Sequence, residues 1–197
     1  MDPIEILSEL FATHIEEVSA TAVTVAEPVS NASEVIVHAL LSDHKILCAG
    51  SGPQSAIAQL FSSHLTNQFS RERPGLPAIA LSADSCLLNT LCENNQYAES
   101  IARQVNTLGN RGDILLLLAG HSTNSLTRAI SAAHDRELTV ILLHGSDQPD
   151  AAALLNRHDI EVSLPVSGFA RLLETNVLLI NCLSELIDVF LFGGETH

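Results

Sequence analysis

The run Ile114-Leu115-Leu116-Leu117-Leu118-Ala119 offers no polar position to water. Successive side chains of an extended segment point to opposite faces, so a strand of this composition must be covered on both sides. Four more short apolar runs accompany it: Lys45–Ala49, Pro77–Leu81, Leu138–His144 and Asp159–Leu164. Helical patterns fill the intervals, over about Ser55–Ser70, Ser85–Leu108, Thr123–Arg136 and Asp150–Asn156, and Gly109 and Gly112 close one of them. Strand and helix in alternation predict a parallel sheet with right-handed crossovers. The expected fold is therefore α/β, a three-layer αβα domain with a five-stranded parallel sheet.

Ahead of this core, Ile4, Leu7, Phe11, Ile15, Val18, Ala22 and Val25 recur at steps of three and four, which places one apolar stripe on a long helix. Pro28 is expected to end it. Ser30, Asn31 and Ser33 then offer caps for a second helix carrying Val35, Ile36, Ala39 and Leu40, so the sheet is preceded by an N-terminal helical pair. The last helix, about Phe169–Phe192, has apolar residues on more than one face: Leu172, Leu173, Val177, Leu178, Ile180, Leu183, Leu186, Ile187, Phe190 and Leu191. Burying ten such side chains contributes on the order of 15–30 kcal/mol before entropy is subtracted. Either the first and last helices cover each other within one subunit, or they bind a second subunit. The expected organisation is a single domain over 1–197, with helices in 1–44 for oligomerisation and an α/β core with its long C-terminal helix in 45–197.

Composition narrows the function. The 197 residues carry 23 acidic side chains against nine Lys and Arg, a formal charge of −14, with no Trp and 4% aromatics. Phosphate affinity comes from clustered cations and base stacking from aromatics, so a direct nucleic-acid surface is not expected. An anionic membrane surface is disfavoured in the same way. The longest unbroken apolar run suits a strand, so no membrane span is expected, and the acidic start Met1-Asp2-Pro3-Ile4-Glu5 lacks the form of a signal peptide. A cytoplasmic protein is expected. Cys48, Cys86, Cys92 and Cys182 are scattered without a CxxC pair and read as free cysteines.

Ligands of parallel α/β sheets sit where loops leave the carboxyl ends of strands, beside helix N-termini that favour phosphate. The first such loop is Cys48-Ala49-Gly50-Ser51-Gly52-Pro53-Gln54-Ser55, where Gly50 and Gly52 permit a tight turn. It is neither a Walker A loop nor GxGxxG. The third strand leads into Ala119-Gly120-His121-Ser122-Thr123-Asn124-Ser125, where hydroxyls serve capping and phosphate binding equally well. The nine histidines show no HxH or HExxH spacing, and His64 and His121 are the two candidates for a ligand role. No GxSxG elbow marks a nucleophile.

These two loops in this order resemble the SIS (sugar isomerase) domain family. The resemblance continues through Phe61–Leu81, with its Arg71-Glu72-Arg73-Pro74-Gly75-Leu76-Pro77 stretch, through Arg103-Gln104-Val105 and Gly112-Asp113-Ile114-Leu115, and through Ala170-Arg171. It covers nearly the whole chain and points to the branch that holds phosphoheptose isomerases and DiaA-type proteins, the DnaA initiator-associating proteins. The ending Asn181–Phe192 looks most like the DiaA type.

The resemblance implies a metal and acid–base set on two helices of the isomerases, and this sequence departs from it. Leu60 and His64 stand where a His and a Glu are expected. Leu173-Glu174-Thr175-Asn176 replaces a Gln-Glu-x-His pattern, and Asn181 replaces a later His. Only Glu174 is retained, so no metal, cofactor or catalytic residue is expected. Pro53 has no N–H and removes one phosphate donor from the first loop. Sugar-phosphate binding would then rest on Gly50, Ser51, Gly52, Ser55, Ser85, Ser122 and Thr123. The resemblance further implies a homotetramer, a DnaA-binding scaffold that reaches DNA only through DnaA, and partner contact by Leu191 and Phe192. These two side chains would otherwise close the oligomer core. The alternative is a diverged phosphosugar isomerase or a sugar-phosphate-binding regulator.

Overall fold

The computed structural model describes residues 2–120, 123–147 and 152–194. In chain order the elements are α1 (Pro3–Leu41), β1 (Ile46–Gly50), α2 (Gln54–Thr66), β2 (Ala78–Ala80) and α3 (Ser85–Glu93), a 3-10 turn at Tyr97–Glu99, then α4 (Ser100–Leu108), β3 (Ile114–Leu118), α5 (Thr123–Asp135), β4 (Thr139–Gly145), β5 (Ile160–Leu164) and α6 (Phe169–Phe192). All five expected strands are present. They form one parallel sheet in the order β2-β1-β3-β4-β5, with the apolar β3 at its centre.

Every residue of β1 and β3 is buried, and their side chains divide by parity between two cores. Ile46, Cys48, Ile114, Leu116, Leu118, Ile141 and Leu143 face α1, α2 and α6, which supply Ile36, Phe61, Leu65, Ile180 and Ile187. Leu47, Ala49, Leu115, Leu117, Val140 and Leu142 face α4 and α5, which supply Val105, Leu126, Ala129, Ile130 and Ala133. This is the three-layer arrangement that double-sided burial demands. Cys48 is fully buried, and desolvation pushes its thiol far above the usual range, which leaves it an inert core residue.

The N-terminal helical pair is not observed. α1 is one helix of 39 residues with Pro28 inside it. Pro28 removes a single backbone bond, to the carbonyl of Thr24. Thr24 is exposed, and its hydroxyl returns to Ala20 O at 3.1 Å. Val25, Val29, Ala32 and Ile36 keep one continuous buried face across the proline. Packing along the whole face outweighs one missing bond.

The expected helix over Ser85–Leu108 is divided. Asn94 caps α3, its side-chain amide donating to Thr90 O at 2.8 Å, and Asn95 takes a left-handed φ of 56°. Asn tolerates that conformation where most residues do not. Of the expected helix over Asp150–Asn156, residues 150 and 151 lie outside the described residues, and 153–156 are turn and coil rather than helix, with Leu155 N donating to Ala152 O at 3.1 Å.

One correction concerns α6. At 24 residues, with a mean hydropathy of 1.6 over its most apolar window, it has the length and composition to cross a bilayer. Instead Leu172, Leu179, Ile180, Leu183 and Ile187 are buried in the first core. Its other apolar face, with Val177, Leu178 and Phe190, is exposed in the single chain.

Two buried carboxylates tie the amino ends of the strands. Asp113 accepts the Lys45 backbone N–H at 3.0 Å, the Asn110 N–H at 2.7 Å and Lys45 Nζ at 2.5 Å. Asp159 accepts the Val140 and Asn156 N–H groups at 2.8 and 2.7 Å and faces His134 Nε2 at 2.7 Å. Asp113→Ala should destabilise the fold by about 3–5 kcal/mol, because it strands a partly buried ammonium and two amides. Urea denaturation checks this, and a loss below about 1 kcal/mol would contradict it.

Candidate functional site

At the carboxyl edge of the sheet, where β1 and β3 run into their helices, the chain forms a small pocket of about 40 Å³. Its hydroxyls come from Ser51 and Ser55 after β1, Ser82 after β2, Tyr97 and Ser100 before α4, and Ser125 in α5. Glycine makes the approach of the loops possible. A Cβ on Gly120 would stand 2.5 Å from Ser51 O, and one on Gly50 would press into the Gln54 carbonyl, so neither position admits a side chain.

Five of the residues expected to bind a sugar phosphate can be placed with respect to this pocket. Gly50, Ser51 and Ser55 line it. Gly52 is exposed with φ +60° and lies outside the lining. Ser85 is exposed at the start of α3, behind the cap that Asp84 provides to Leu87 N, and is also outside the lining. Ser122 and His121 lie outside the described residues. Thr123 opens α5, and its side chain is outside them as well.

Ser82, Ser100, Gln104 and Ser125 were not singled out from sequence as site residues. Arg103-Gln104-Val105 was noted as a familiar stretch, and the hydroxyl run after Gly120 extends to Ser125, so a signal for both existed. Ser125 is 2% exposed, and its Oγ has no hydrogen-bond partner among the described residues. A buried hydroxyl without a partner is costly, and here it faces a cavity able to hold one.

Among the described residues the lining has no charged side chain. Its chemistry is that of neutral hydrogen bonding. The start of α2 contributes less than its dipole suggests, because Gln54, Ser55 and Ala56 donate their N–H groups back to Ser51, Gly52 and Pro53 carbonyls at 3.3, 3.0 and 3.1 Å. Pro53, the cap residue, has no N–H. The loop is anchored beneath by Gln54, fully buried, whose Oε1 accepts from Asn176 Nδ2 of α6 at 3.1 Å.

A second face joins α2 and α6. Leu60 is 40% exposed, and His64 lies one turn further on. The Ser184 hydroxyl donates to Ile180 O at 2.7 Å, so its oxygen receives the proton on His64 Nδ1 at 3.1 Å. The His64 ring also packs on Phe69, centroids 4.6 Å apart. Burial lowers the His64 pKa below the usual imidazole value, and the nearby Arg73 guanidinium lowers it further. Leu173 and Asn181 are half-buried on α6. Among the described residues no three His, Cys, Asp or Glu side chains come together around a common point. Leucines at positions 60 and 173 cannot ligate, Glu174 is engaged by Arg171 at 2.5 Å and His14 at 3.3 Å, and the remaining imidazole and amide are too poor a donor set for zinc, so these residues do not fit a metal centre.

At the far end of α6, Leu191 and Phe192 part company. Leu191 packs against the first core, whereas Phe192 is 39% exposed. The Arg71 guanidinium lies 5.8 Å over the Phe192 ring and donates to Gly193 O at 2.6 Å.

Comparison with known proteins gives consistent results for the fold and divided ones for activity. The family described as SIS domain matches residues 9–145. A phosphoheptose isomerase of Methylococcus capsulatus is 40% identical over 195 residues, spanning 98% of this chain and 100% of that protein. A DnaA initiator-associating protein DiaA of Photorhabdus laumondii is 37% identical over 186 residues, spanning 94% and 95%. The structure of a phosphoheptose isomerase from Francisella tularensis superposes with a TM-score of 0.90 at 33% identity, covering 95% of this chain and 99% of that one.

The His64 environment makes a pH prediction. Its folded pKa is lowered, so the unfolded chain binds the proton first as pH falls. The stability it contributes is complete above the unfolded value of 6.5 and is lost as pH drops through the folded value. An NMR titration should place the His64 midpoint below 6.5, and His64→Asn should flatten the acid limb of the stability–pH curve. A midpoint at or above that value would contradict the account.

Proposed function

The chain belongs to the SIS domain family, and from that premise we propose that it is a non-catalytic, oligomeric scaffold that associates with the replication initiator DnaA. It would promote DnaA assembly at the chromosomal origin and so regulate initiation, as a cytoplasmic protein. The observation that carries this reading is the α2–α6 face. Leu60, Leu173 and Asn181 replace the groups an isomerase of this kind would need, and His64 is held by Ser184 and Phe69. Neither a metal nor an acid–base pair is left there to move protons between the carbons of a sugar.

Multivalency gives the scaffold its physical logic. Ile4, Leu7, Phe11 and Ile15 on α1 are more than half exposed in the single chain. An apolar groove between α1 and α6, lined by Val18, Ala22, Val25, Leu178, Cys182 and Leu186, continues this surface. Surfaces of this kind mark subunit contacts. We propose a homotetramer built through α1 and α6, which would present four copies of one partner site and raise the effective concentration of bound DnaA molecules. Phe192, exposed at the end of α6, is the proposed anchor on each copy, with Leu191 supporting it from below.

The second reading keeps the hydroxyl pocket in use. A diverged phosphosugar isomerase, or a regulator that binds a sugar phosphate, would use Ser51, Ser55 and the orphan Ser125 hydroxyl. The isomerase relative at 40% identity supports it.

Calorimetric titration with the DnaA N-terminal region should show saturable binding at one site per subunit or a simple fraction of that. Phe192→Ala should weaken it at least about tenfold and leave the oligomer mass unchanged by light scattering. A fall in mass would place Phe192 in the subunit contact instead. The purified protein should contain no stoichiometric zinc and should not isomerise sedoheptulose 7-phosphate. Zinc at one per subunit together with turnover would establish the second reading.

A further inference from the structure

A small pocket, open to solvent, lies where α6 ends. Ser70 and Arg71 form one side, and Glu185, Asp188, Val189 and Gly193 form the other. Beneath it is a fully buried ion pair: Arg73 Nε meets Asp188 Oδ1 at 2.5 Å, with both side chains 1% exposed. A guanidinium usually closes a two-pronged contact on a carboxylate. Here the prongs are engaged elsewhere. Arg73 Nη1 donates to Leu65 O at 2.9 Å and Pro74 O at 3.1 Å, and Nη2 donates to His64 O at 2.8 Å. Asp188 Oδ2 is therefore left buried, without a donor among the described residues, and Asp188 is one of the residues that line the pocket. An unpaired carboxylate oxygen in such a place calls for an incoming donor.

We propose that this pocket receives a lysine ammonium group from a protein partner. An ammonium is compact and carries three donors. Asp188 and Glu185 bring two carboxylates to the lining, and α6 ends beside them with its last carbonyls. The negative end of the helix dipole lies at the same place and favours a cation. The guanidinium position is already filled by Arg71, stacked on Phe192 and bonded to Gly193 O. A second copy of this chain does not supply the group: its single lysine, Lys45, is already tied to Asp113 at the amino ends of β1 and β3. The formal charge of −14 draws a basic partner from a distance. Phe192 beside the pocket gives that partner an apolar contact next to the ionic one. That the partner is DnaA rests on the proposed function; the chemistry of the pocket does not.

The test begins without DnaA. N-acetyl-lysine methylamide, its norleucine counterpart and its arginine counterpart are titrated into the full chain, and the Val189 methyl signals are followed by NMR. The lysine compound should give a saturable shift at Val189, the norleucine compound none, and the arginine compound a weaker one. Glu185→Gln, a change on an exposed helix position, should weaken lysine binding about fivefold. No shift at Val189, an equal shift from norleucine, arginine binding as tightly as lysine, or an unchanged affinity in E185Q would each overturn the proposal. A DnaA N-terminal region with acetylated lysines then separates the two ideas. If the small lysine compound binds and DnaA does not, the DnaA reading fails alone. If native and acetylated DnaA bind equally well, the pocket assignment fails and the scaffold stands.

Discussion

The structure depends on three central strands that cannot face water on either side. Ile46–Ala49, Ile114–Leu118 and Val140–Leu143 are buried throughout, alternate residues entering opposite cores. Such strands require a helix layer above and below, and parallel pairing requires each connection to pass through one of those layers. The crossovers then bring every strand's carboxyl end to the same edge. The loops after β1, β2 and β3 converge there, and glycines at 50 and 120 let two of them touch. The hydroxyl pocket is thus a consequence of how the core is covered.

The polar interior follows a second constraint, that a chain reversing at helix and strand ends leaves backbone groups to be satisfied. Asp113 and Asp159 gather amides at the amino ends of the strands. Arg73 does the reverse after α2, collecting the carbonyls of His64, Leu65 and Pro74 and pinning them to α6 through Asp188. One cation thereby closes a helix, fixes a loop and leaves a carboxylate oxygen free. The same α6 bonds to the first glycine loop through Asn176 and Gln54. Both the pocket edge and the C-terminal pocket are held by one helix.

That geometry separates two properties that relatives with different names share. The fold is retained, and on the α2–α6 face Leu60 and Leu173 offer no donor and Asn181 only an amide. A face without such donors still keeps its packing, and in the proposed scaffold it would still present the end of α6. The exposed apolar length of α1 and the outward face of α6 act in the same direction. An acidic, cation-poor chain offers little to the phosphates of a nucleic acid.

The sequence by itself determined the strands, their parallel order of connection and the bounds of the last helix, because period-two and three-to-four-residue patterns are local and each segment states its own burial. It also bears on the donors that the resemblance implies, since leucine at 60 and 173 cannot ligate in any fold. Local signals failed where distant packing prevailed. Pro28 reads as a helix end, yet the continuous face of Val25, Val29, Ala32 and Ile36 against the core carries α1 through it. The pair Asn94-Asn95 divides a stretch whose apolar spacing looked unbroken. The pocket takes Ser82, Ser100 and Ser125 from separate segments, and Arg73 meets Asp188 across 115 residues of chain. Only the tertiary structure could decide these, because which hydroxyls converge and which carboxylate oxygen stays unpaired depend on where the covered sheet brings distant segments, and no local pattern encodes a distance in space.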